Sequence, residues 1–212
     1  MHLLNSSPVL FRFYNSDKFS ITFFTITPAA MQERLHFNIM DTYYTIEEKY
    51  LQAVNEAVYG ETPKGLQLFK EIIESDPFYA RAHFQLGKIY FYEIQDYQSA
   101  GYHFKTCVEL EPLFPDVYYH YLNLVVFLNM GNKVDDIAAK ALITPGVDTA
   151  DIYQLLGLFA EKNKNWANAL NAYRTAFMEV TCKKQKSDVE ASIDRVKSKI
   201  QQGRSYQYYL QD

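Results

Sequence analysis

The side chains best able to do chemistry in the central part of this chain are His83, His103, His120, Cys107 and Cys182. Imidazole and thiolate ligate transition metals, and both serve as bases or nucleophiles. Their placement does not gather them into a site. The three histidines fall on three different helical stretches, so the sequence alone does not bring them together. No Gly-rich phosphate loop, no His-Glu-x-x-His and no Cys-x-x-Cys is present. Two cysteines make no disulfide framework. The carboxylates are numerous, but most sit on polar helical faces, where solvated charge is the default. The expectation is therefore a chain with no catalytic group, no metal and no cofactor.

The elements that carry these residues change character near Met40. The chain has 212 residues, of which 48% are hydrophobic, 22% charged and 16% aromatic, with a formal net charge of −4. That balance fits a soluble globular protein and offers no basic footprint for nucleic acid. No apolar run approaches the roughly 20 residues that span a bilayer. Residues 1–39 are rich in Phe, Ser, Thr and Asn and lack helical periodicity. Residues 19–27 read as a short strand without a partner strand. The segment reads as an extension outside the folded repeats, with translation starting at Met31 or Met40. A packed extension is the alternative, and a signal peptide is disfavoured because Ser and Thr break its apolar stretch. Free thiols and the missing export signal point to a cytoplasmic location.

From Tyr43 the pattern is helical. Stretches 43–59, 63–75, 79–93, 96–110, 115–129, 133–143, 149–163, 165–180 and 187–202 are separated by short breaks. Asp76-Pro77 and Glu111-Pro112 stop helices, because proline pushes the preceding residue out of the α region. Helices joined by short turns form antiparallel hairpins. The hairpins recur: Gly65, Phe69 and Pro77 return thirty-five residues later as Ala100, Phe104 and Pro112. A period in this range marks a helical solenoid. The last stretch carries Val189, Ile193, Val196 and Ile200 on one stripe, as a solvating end cap would. Ser187 and Glu190 suggest a capping box at its start.

Residues His83-x2-Leu86-Gly87-x2-Tyr90, Ala100-x3-Phe104 and Pro112 resemble the tetratricopeptide repeat family, with one residue inserted near Tyr97. Tyr153-x2-Leu156-Gly157, Ala169-x3-Tyr173 and Ala176 match again, and two further repeats match loosely. The resemblance implies an all-α, α-α superhelix, a right-handed solenoid of four helical hairpins over 40–183. A capping helix and tail then fill 184–212. It makes His83 a packed core histidine and Cys107 a buried, inert thiol. Gly87 and Gly157 become the points where paired helices approach closely.

The same resemblance implies an inner groove lined by the first helix of each repeat. Its lining would be Arg81, Phe84, Gln85, Lys88, Phe91, Tyr92, Asp116, Tyr119, His120, Asn123, Val126, Phe127, Asp151, Gln154, Leu155, Leu158, Glu161 and Lys162. The first repeat, in a looser register, adds Glu47, Tyr50, Leu51, Val54, Ala57 and Val58. Phe84, Phe91, Tyr92, Tyr119 and Phe127 would be desolvated anchors, with Arg81 and Lys88 orienting the ligand. The residues where family members grip a chaperone's terminal carboxylate lack the basic clamp in either frame, so that ligand is disfavoured. The expected function is a non-catalytic protein–protein interaction module that holds a peptide or protein surface. Homo-oligomeric self-association is the alternative, and an enzyme or cofactor carrier a remote one. The aromatic tail Tyr206–Leu210 would dock on the cap helix or a neighbour.

Overall fold

The computed structural model describes residues 45–208, with side chains through 203. The chain divides at Tyr43 into a first and a second unit, and the described residues all fall in the second. The first unit, with the expected strand 19–27 and the Met31 and Met40 starts, lies outside the described residues. So do the last four residues, with Tyr209 and Leu210 of the aromatic tail.

Helices α1 (Ile46–Tyr59) and α2 (Thr62–Ser75) form the first hairpin. The second pairs α3 (Ala80–Lys88), prolonged by a π-helical segment (Ile89–Ile94), with α4 (Tyr97–Leu110). The third pairs α5 (Pro115–Phe127) with α6 (Gly131–Ile143). The fourth pairs α7 (Thr149–Lys162) with α8 (Trp166–Glu179), and α9 (Lys183–Tyr208) follows. The fold is an all-α superhelix of stacked hairpins. Each hairpin packs within itself and on the next, and α5 also lies against α7.

Local chemistry starts these helices where the sequence expects. The Thr45 side chain accepts from Glu48 N, and the Glu48 carboxylate accepts from Thr45 N, a complete capping box. Asp96, Asp148 and Asn165 cap α4, α7 and α8. Pro115 occupies the first turn of α5, where its missing N–H costs nothing. The cap helix corrects one expectation. It begins at Lys183, so Ser187 lies inside the helix rather than capping it.

The core follows the repeat. Ile72, Leu86, Phe69 and Phe104 are fully buried. Gly87 and Gly157 are where paired helices touch: a Cβ added at either would lie 2.6 Å from the ring of Phe104 or Tyr173. Cys107 is buried, and burial, with Glu111 nearby, pushes its thiol up to about 12. His83 is a core residue. Its Nε2–H donates to Pro77 O at 3.1 Å, so its bare Nδ1 accepts from His103 Nδ1–H at 2.9 Å. Val189 and Val196 are buried, and with Ile193 and Ile200 they pack α9 against Tyr173 and Ala176.

Candidate functional site: the wall of first helices

Helices α1, α3, α5 and α7 stand side by side as one wall. Tyr50 Oη of α1 accepts from Gln85 Nε2 of α3 at 3.2 Å. Lys162 Nζ of α7 donates to Val126 O and Phe127 O at the end of α5, at 2.8 and 2.9 Å. Asn129 and Asn163 exchange side-chain hydrogen bonds at the neighbouring turns. These pairs are 34–36 residues apart, one repeat period.

The centre of the wall is aromatic. Tyr92, Tyr119 and Phe127 are 42%, 38% and 52% exposed, and Leu158 is 38% exposed. Beneath them His120 is half-buried, ringed by Phe84, Tyr92, Phe104 and Tyr119 at centroid distances of 5.3–6.5 Å. Asn123 Nδ2 donates to Tyr92 Oη at 3.3 Å. That leaves the Tyr92 hydroxyl hydrogen for His120 Nδ1, 2.8 Å away. Burial, helped by the Lys88 ammonium, lowers the His120 pKa to about 4, so the ring is neutral. Burial raises Tyr92 and Tyr119 above the ordinary phenol value. The wall therefore offers neutral aromatic and amide groups, with Lys88 held over the Phe84 ring at 5.2 Å.

Two expected anchors are placed differently. Phe84 is 5% exposed and packs edge-on against Phe114. Phe91 is 8% exposed and packs on Tyr97 and Phe127. Both are joints between neighbouring repeats rather than open anchors. The expected face division treats each first helix as isolated, whereas α3 and α5 share these side chains. Arg81 is exposed at the outer end of α3, away from the aromatic centre. Gln85 is turned towards Tyr50, and Gln154 Nε2 donates to Asp151 Oδ1 at 3.4 Å. Leu51 and Val58 of α1 are 65% and 63% exposed.

The inserted residue expected near Tyr97 lies one turn earlier, as the π-helical segment 89–94. A π turn absorbs one extra residue without breaking a helix, and such turns recur at functional sites. Here it re-aims α3 so that Phe91 turns inward and Tyr92 reaches His120.

Glu161 is a second surprise. Its carboxylate is 6% exposed beneath α9, where Arg195 donates to both oxygens at 2.9 and 2.8 Å. Lys199 Nζ and Tyr173 Oη donate to it at 2.7 and 2.9 Å. Arg195 chiefly, with Lys199 and Tyr173, holds its pKa down to about 2 against the cost of burial. It belongs to the cap joint, not to the open wall. The sequence signal was available, since Glu161 and Arg195 stand one period apart.

Among the described residues, no group of three or more His, Cys, Asp or Glu side chains is placed to hold a metal ion. Among them, too, no helix is long and apolar enough to cross a membrane.

No family model matches the chain, and no curated protein matches it. Solved structures do. A MamA from Desulfovibrio magneticus RS-1 superposes with a TM-score of 0.55 at 14% identity, covering 72% of this chain and 93% of that one. A double mutant of MamA RS-1 gives 0.57 at 13% identity, covering 73% and 95%. Human IFIT1, as a dimer with PPP-AAAA, gives 0.67 at 18% identity, covering 84% of this chain and 44% of that one. At such identities the likeness concerns architecture, and it shows this chain to be a tetratricopeptide-like helical repeat.

Proposed function

We propose that the chain is a non-catalytic interaction module whose wall of first helices holds a peptide or protein surface. The observation that supports this reading best is the exposed strip Tyr92, Tyr119, Phe127 and Leu158 on three successive first helices. Tyr and Phe supply large contact area at low entropic cost, and clustered exposed apolar side chains mark binding surfaces. The Tyr92–His120–Asn123 array adds neutral polar groups that suit backbone amides better than a charged ligand.

The experiment is affinity capture from extract, read by mass spectrometry, with full-length protein and its Tyr119→Ser/Phe127→Ser variant. Both side chains are more than one-third exposed, so the variant keeps its helical circular dichroism. The expected result is one or more proteins retained by the unaltered chain and lost by the variant. Identical retained sets from both would overturn the reading. Phe84→Ala is unsuited to this test, because truncating a buried Phe costs about 3–5 kcal/mol of stability.

A further inference from the structure

The extra residue of the second hairpin has a fixed place. Gln95, Asn129 and Lys164, each with a left-handed backbone, mark one point of three successive hairpin turns. His83 and Tyr118 are counterparts, since each donates to the carbonyl of the proline six residues before it, Pro77 or Pro112. His83 stands twelve residues before Gln95, whereas Tyr118 and Tyr153 stand eleven before Asn129 and Lys164. Past the turn the count is equal again: Ala100, Val134 and Ala169 each follow five residues on, and each is buried. The insertion is therefore confined to the first helix of the hairpin, where the π-helical segment Ile89–Ile94 takes it up.

Packing of the hairpin does not call for it. Helices α5 and α7 reach their turns without a π segment. A Cβ added at Gly87 or at Gly157 would lie 2.6 Å from the facing ring in both cases, so hairpins with and without the insertion close equally tightly. What differs is the wall. Counted from the start of its hairpin, Tyr92 corresponds to Phe127. Phe127 meets the following first helix at Lys162, whose Nζ lies 5.8 Å from the ring. Tyr92 meets its following helix at His120 and Asn123, the counterparts of Leu155 and Leu158. That is about one to two turns nearer the start of the helix than Lys162 stands. Tyr92 is thereby brought towards the middle of the wall, 42% exposed and close to Tyr119. A local irregularity that packing does not need is expected where function uses it.

We infer, on the footing of the wall's proposed role in binding, that this one-residue insertion serves the ligand rather than the fold: it positions Tyr92 as the central anchor of the wall. Tyr92 touches the ligand. The inserted residue, His120 and Asn123 are positioning residues, the last two fixing the Tyr92 ring through its hydroxyl at 2.8 and 3.3 Å. Without the insertion the hairpin still closes, but the ring leaves His120 and the strip loses its member on α3.

The test is deletion of Glu93 from the full-length chain, with deletion of Ile94 as a second variant. Both side chains are exposed, and either deletion lets the helix run in α register to Gln95. The helical circular dichroism is expected to persist, with a thermal midpoint no lower than that of the unaltered chain. The His120 titration, followed by NMR, is expected to move up from about 4, because the Tyr92 hydroxyl no longer favours the neutral ring. In affinity capture from extract, both deletions are expected to cut the retained proteins about tenfold, the loss of one anchor. A midpoint lowered by both deletions would make the extra residue structural and overturn the inference. An unmoved His120 titration would overturn it too. Capture unchanged by the deletions but lost with Tyr119→Ser/Phe127→Ser would overturn it and leave the wall's role standing, whereas capture unchanged by all these variants would overturn both.

Discussion

His120 sits at the centre of the wall as an imidazole that the fold does not let ionise. Its ring is enclosed by aromatics, and Lys88 stands near enough to oppose a second positive charge. His103 is in the same condition, lowered to about 4 by burial, His83 and Lys70. Burial lowers His83 too. Unfolded, each of the three takes up a proton near pH 6.5. Between about pH 6.5 and pH 4 the unfolded chain thus binds protons that the folded one refuses, and stability falls as the pH falls. Above that window the three histidines cost nothing. Urea midpoints are expected to drop steadily from about pH 7 to about pH 5, with a slope approaching about 1.4 kcal/mol per pH unit for each of His103 and His120, to which His83 adds in the same direction. His120→Gln is expected to make that slope shallower, by up to about 1.4 kcal/mol per pH unit. A flat profile through this range, or a slope indifferent to His120→Gln, contradicts the account of these rings.

Among the elements, α9 shows how a polar helix is fixed to an apolar stack. It is 26 residues long, nearly twice the length of α7, and only one stripe of it is apolar. The clamp on Glu161 supplies what that stripe lacks, a directional contact that fixes its register. Glu161→Gln removes the charge that Arg195 and Lys199 bind. A destabilisation of about 2 kcal/mol is expected by chemical denaturation, at the lower end for buried pairs because Arg195 and Lys199 are nearly half exposed. Amide exchange should quicken along α9 first. The depressed carboxylate implies that this contribution is present above pH 4.5 and lost as the pH falls towards 2. Equal stability of Glu161→Gln and the unaltered chain would show that the clamp is incidental. The clamp leaves one trace in the residue pattern, the one-period spacing of Glu161 and Arg195, and the turn geometry leaves none. Gln95, Asn129 and Lys164 all take a left-handed backbone, with φ of 61°, 56° and 57°, at the same point of three successive hairpins. Glycine is the usual mark of such a turn, and none of the three is glycine.

For the molecule as a whole, the period was legible because stacking repeats its demands. Gly87 and Gly157 face the same ring, Phe104 or Tyr173, in two repeats, and so the motif survives where the neighbouring residues drift. Helix ends were legible to within a few residues, because Asp-Pro and Glu-Pro stop a helix by local sterics. The wall was less legible. Whether Phe84 or Tyr119 meets water depends on the adjoining repeat, and the pattern of one helix does not contain its neighbour. The π segment is hidden for the same reason, since an insertion can be taken up in a turn or inside a helix. The first-helix wall, through its exposed aromatic strip, is proposed as the place where this solenoid meets its partner. Hydroxyl-radical footprinting of the full-length chain, with and without the captured partner, reads that claim side chain by side chain. Protection is predicted at Tyr92, Tyr119, Phe127 and Leu158, and not at Tyr102 of the second-helix layer. Protection confined to α2, α4, α6 and α8, with the four wall residues as reactive as in the free chain, would contradict it.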